Sequence, residues 1–172
     1  MLSIQHSPHT VRFNPPSTAI FKAILLGGAL VGVFDATDGV VYFGLTAGSN
    51  PIQVLQYIAS GALGPAAFSG GLPAAALGAL IHFGLSFGFT ALLVLGWIRF
   101  AAVREHWIVA GIGWGIAVWT LMNLIVLPFS HVPPSPITIL SAIHGLLGHV
   151  LTVGLTPAYA ALRTLRPAGG QP

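Results

Sequence analysis

The sequence predicts an all-α fold, an integral membrane four-helix bundle with a short extra helix on its outer face. Charged residues make up 5% of the 172 positions, against about 25% in a soluble domain. Hydrophobic residues are 55% and the mean hydropathy is +0.87. So few charges cannot cover a water-exposed surface. Four apolar stretches, 19–46, 72–98, 107–128 and 139–162, each reach the roughly 20 residues that a bilayer requires. They are continuous rather than two-sided, which argues against a barrel. All six basic residues, Arg12, Lys22, Arg99, Arg104, Arg163 and Arg166, fall on one side of four alternating spans.

Residues 1–18 form a polar arm with prolines and no leader-like apolar core. The first apolar run is also too long for a cleaved signal peptide. The single transmembrane domain covers 19–163, and a tail covers 164–172. By the positive-inside rule both termini are cytoplasmic. Trp97, Trp107 and Tyr159 then sit at the cytoplasmic ends of spans two, three and four, where amphipathic rings prefer to lie. The pI near 10.0 reflects this topology. Basic residues spread over three segments form no patch for nucleic acid. Cysteine is absent, so thiol chemistry and Cys-ligated metals are excluded.

Span one carries Lys22 near its start and two aspartates deep within it, Asp35 and Asp38. A charge at that depth is costly unless it is paired, solvated or neutralised. Gly28, Gly32, Asp35, Gly39 and Tyr42 follow helical spacing on one face, so the carboxylate lies on a small-residue face that packs inward. Gly84/Gly88 and Gly111/Gly115 repeat the same spacing on spans two and three. The segment between spans one and two is long. Asn50-Pro51 opens a helix over 52–60, amphipathic and lying on the outer surface. Gly61, Gly64, Pro65, Gly70 and Gly71 then break it. The 129–138 loop is short and proline-rich, with a solvated His131.

Helical rise, about 1.5 Å per residue, gives depth. Asp35, Asp38, His82, Asn123, His144 and His149 all fall in one slab, outward of the bilayer centre. His144 and His149 are five residues apart, about 140° around the helix, so a compact site uses one of them. The bland reading is structural: paired carboxylates, interhelical histidine bonds, and Asn123 as a helix–helix contact. The sharper readings are a proton or small-solute site, a carboxylate–histidine metal site at Asp35 or Asp38 with His82 and His149, and a tetrapyrrole ligated by His82 and His149. Gly78 and Gly145, each four residues before a histidine, leave room for a flat macrocycle. His6 and His9 in the arm are not a metal motif. No nucleotide loop, nucleophile elbow or H-E-x-x-H is present. The chain therefore reads as non-enzymatic, an accessory subunit or a small-solute or proton handler. The rival is a cofactor protein holding haem, a chlorophyll-type pigment or a metal. Beyond the lipid bilayer, the partners expected are a larger membrane complex or further copies of the chain.

The stretches 58–83 (IASGALGPAAFSGGLPAAALGALIHF) and 118–128 (VWTLMNLIVLP) together resemble a group of small, uncharacterised bacterial inner-membrane proteins with four helices. The matching residues are Asp35, Ala59-Ser60-Gly61, Leu63-Gly64, Ala67-Phe68, Gly70-Gly71, His82, Met122-Asn123, Val126-Leu127-Pro128, His144, Gly145 and His149. A more distant likeness is to the YagU-like inner-membrane family. The resemblance implies a multi-pass protein of the bacterial inner membrane and supplies no activity.

Overall fold

The computed structural model describes residues 13–134 and 137–165. The rest of the arm, with His6, His9 and Arg12, lies outside the described residues, as does Arg166 in the tail. Among the described residues the fold is all-helical, with four helices long and apolar enough to cross a membrane. Span one is α1 (Ser17–Ala47) and span two is α3 (Gly71–Arg99). Span three covers Trp107–Val126, comprising α5 (Trp107–Leu121) and a π-turn at Met122–Val126. Span four covers Ile139–Thr164, comprising α6 (Ile139–His149), a π-turn at Val150–Leu155 and α7 (Thr156–Thr164). The expected spans agree with these to within two residues at each end.

Local signals set the boundaries. Pro15 and Pro16 hold the chain extended before α1, and Pro16 has φ −63° and ψ 148°. At the other end Gly48 takes φ +66°, which favours glycine. Its N–H donates to Gly44 O, while the Ser49 N–H donates to Phe43 O. That pattern is a Schellman stop. The expected outer helix is α2 (Pro51–Leu63). Asn50 caps it in a reciprocal box with Gln53, and Pro51 supplies a preset first turn. A 3-10 turn, Gly64–Ser69, follows where glycines and Pro65 break the helix. Thr138 and Ser141 cap α6 in the same reciprocal way.

The two ends of the bundle differ. At the basic end, α1, α3, α5 and α7 converge on Ala23, Val94, Trp97, Ala158 and Ala161. A short helix, α4 (Ala101–Glu105), links spans two and three here. Its Arg104 donates to Trp97 O and Ile98 O at 2.7 and 3.2 Å, closing the end of α3, and lies 4.4 Å over the Phe13 ring. Trp97 is 2% exposed. It belongs to the core rather than to an interfacial belt, because α4 folds across it. At the far end α2 packs along the start of α3. Gly78 admits the Leu55 carbonyl there, and Gln56 donates to Gly71 O at 3.2 Å. The loop after span three holds α2 in place, the His131 N–H donating to Gly61 O at 3.1 Å.

Close packing follows two of the three expected glycine pairs. Gly28 and Gly32 lie under the rings of Phe87 and Phe83 of α3. Gly111 meets Gly154, and Gly115 meets the Val150 backbone, bringing spans three and four together. Gly84 and Gly88 differ. A methyl group added at either would meet nothing within 4 Å, so this face of α3 looks away from the bundle.

Candidate functional site

Span four does not run evenly against α1. It packs extensively on α1 through Thr156–Thr164 and only lightly through Ile139–His149. Pro157, buried against Gly27, and the π-turn before it set this divergence. A proline removes one backbone donor and a π-turn adds a residue to the turn, so the helix leaves its straight path. A wedge opens toward the far end.

Three facing pairs line that wedge. Deepest, the Thr152 hydroxyl donates to Asp35 Oδ1 at 2.9 Å and also lies 2.9 Å from Gly148 O. One turn outward, Asp38 faces Gly148. A Cβ at Gly148 would lie 2.9 Å from Asp38 Oδ2, so the glycine makes room for the carboxylate. His144 reaches Asp38 as well, with Nε2 3.4 Å from Oδ1. Outermost, the Tyr42 ring stacks on the His144 ring at 4.0 Å and 16°. Residues 35, 38 and 42 share a face of α1, and 144, 148 and 152 share a face of span four. The antiparallel register pairs them in order.

The side chains of His144 and Asp38 are 35% and 37% exposed. The bundle therefore covers the pair only in part. Below it the bundle closes on Val31, Val118 and Val153, which are 1%, 3% and 5% exposed. Phe89, Trp114 and Met122 pack around them. Proton donors and acceptors thus sit above an apolar floor.

The other candidates are placed apart. His82 Nε2 lies 2.9 Å from Gly32 O, so its N–H donates across to α1. His149 Nδ1 lies 3.0 Å from Gly145 O, one turn back on its own helix. Among the described residues no hydrogen bond, ion pair or ring contact joins His82 to His149 or either to Asp35 or Asp38. Of the two span-four histidines, His144 is the one that meets a carboxylate. Asn123 donates to Trp119 O at 2.9 Å, within its own helix rather than to a neighbour. His131 is exposed, as expected of a loop residue, while its main chain ties down α2. Gly148 and Thr152 complete the site beyond the residues the sequence points to; their spacing from His144, four and eight residues, is the available signal.

The cofactor constellation does not fit. The Leu55 carbonyl fills the room beside Gly78, and the Trp119 indole fills the room beside Gly145. A macrocycle would have to displace both. Among the described residues no group of three or more His, Asp or Glu gathers into a metal-holding cluster. No known family model, curated protein or solved structure matches this chain.

Proposed function

We propose that this protein handles protons in a membrane, accepting them from the far side at Asp38–His144 and passing them to Asp35–Thr152. The supporting observation is the Asp38–His144 contact, 3.4 Å across two spans with both side chains about one-third open. A carboxylate and an imidazole at membrane depth are costly to keep and mark proton paths. Each changes charge by binding one proton, and each stands on a different helix. Thr152 can accept from one neighbour and donate to the next. By the positive-inside rule the basic end and both termini face the cytoplasm, and the sequence resemblance implies a bacterial inner membrane. The wedge then opens outward. A second reading, as a subunit of a larger assembly, draws on the uncovered Gly84/Gly88 face of α3. Detergent-solubilised protein from its native membrane would then run with partners or as multiples of itself.

The experiment is a pH jump on sealed proteoliposomes with a trapped pH dye. The protein should speed decay of the gradient over empty vesicles, and Asp38→Asn should return it most of the way. Equal rates for parent, variant and empty vesicles defeat the proposal.

A further inference from the structure

Three buried donors near the basic end lack an acceptor among the described residues: Thr90 Oγ1, Trp97 Nε1 and Trp114 Nε1. Buried polar groups are nearly always bonded, to protein or to ordered water. Thr90 and Trp97 are 1% and 2% exposed, so bulk solvent does not reach them. The three share one region. Trp97 lies in the cluster with Ala23, Val94 and Ala158, and Trp114 packs against it. Thr90 is one turn from Val94, and its methyl group fills the space at Gly27, beside Pro157.

Hydroxyls on the spans of this chain ordinarily bond back to their own helix. Thr37, Thr46, Ser86 and Thr164 all donate to the carbonyl four residues earlier. Thr90 does not. Across from it stands a missing donor. The Thr156 N–H bonds Leu151 O in the π-turn, and residue 157 is a proline with no N–H. The next carbonyl in line, of Thr152 or Val153, therefore loses the donor that position 157 would supply. An orphaned hydroxyl and an orphaned carbonyl belong to the two helices that meet at Thr90 and Pro157. One molecule that both donates and accepts satisfies both, and that molecule is water.

We infer that the bundle holds ordered water between Thr90 and the Pro157-interrupted turn of span four, with the Trp97 and Trp114 indoles donating to the same hydrated track. The track lies on the basic side of Val31, Val118 and Val153, opposite Asp35. Its meaning as the second half of a proton path rests on the function proposed above. Its existence does not.

The test reads hydration directly. Water-edited solid-state NMR on the full chain in lipid bilayers should show transfer from water to Thr90 and to both indole protons. Pro157→Ala restores the backbone donor and should weaken transfer at Thr90. Thr90→Val should lower the Tm, because the carbonyl loses its bridge. In a dry site valine would instead remove an unsatisfied group and raise the Tm. No water transfer at Thr90, or a Tm for Thr90→Val that is unchanged or raised, overturns the inference. Hydration with no proton flux keeps this inference and defeats the proton reading. Flux with a dry Thr90 does the reverse.

Discussion

Thr152 donates its hydroxyl to Asp35 at 2.9 Å, joining span four to span one across 117 positions of sequence. The contact lies in the same antiparallel register that places His144 against Asp38. It also stands where the wedge ends and the apolar floor begins. Asparagine keeps the shape and an acceptor oxygen, so Asp35→Asn should fold like the parent. Asp35→Leu leaves the Thr152 hydroxyl bonded to Gly148 O alone and should cost about 0.6 kcal/mol, up to about 1.7, the worth of the lost interhelical bond. Reversible unfolding in mixed micelles separates the two.

The same pair should show direct coupling. A double-mutant cycle of Asp35→Leu with Thr152→Val should give an interaction of roughly 0.6 kcal/mol, up to about 1.7, the range of interhelical hydrogen bonds in membranes. Additive losses would place the contribution of each residue elsewhere.

Glycine substitutions should sort by what lies opposite. At Gly115 a Cβ would sit 2.5 Å from Val150 Cα, which is backbone and cannot turn aside. Gly115→Ala should therefore push spans three and four apart and cost on the order of 1–3 kcal/mol. Gly84→Ala and Gly88→Ala meet nothing and should change stability by no more than about 0.5 kcal/mol. Thermal melts of the three variants in one detergent provide the comparison. A large loss at Gly84 or Gly88 would mean that another chain covers that face.

Tyr57 on α2 gives a pH prediction outside the spans. Its half-buried setting pushes the phenol above its ordinary value through desolvation, so the folded protein holds the neutral form more strongly than the unfolded chain does. The resulting stabilisation is fully present below the unfolded value of about 10 and is lost as pH rises through the folded value. Tyr57→Phe removes that alkaline loss. Melting curves on either side of pH about 10 should steepen downward for the parent and less for the variant. Identical curves would contradict it.

Much of the fold was legible because membrane spans announce themselves by length and charge placement. The Asn50-Pro51 start of α2 was equally plain, because a cap and a helix-opening proline are local signals. The site was legible only in part. Asp35 and Asp38 stood out as charges in an apolar run. His144 stood out with them as a polar group at the same depth, but Thr152 and Gly148 did not, because partner choice depends on the rotation of span four about its axis. The π-turn at Val150–Leu155 and Pro157 set that rotation, and neither π-turn shows in apolar periodicity. His82 and His149 drew notice for the glycines near them. Those glycines serve the close approach of Leu55 and Trp119 instead. A small residue in a membrane helix admits a neighbouring helix as readily as a ligand, and sequence spacing alone does not separate the two.

In the proposed function Asp38 and His144 exchange protons with the far side. Infrared difference spectra of oriented proteoliposomes test it most directly, as the pH outside is stepped with the inside held fixed. Exchange at this pair should give a carboxylic C=O band that grows on outside acidification, is lost in Asp38→Asn, and shifts its midpoint in His144→Gln. A carboxyl signal that ignores the outside pH, or one unchanged by Asp38→Asn, would contradict it.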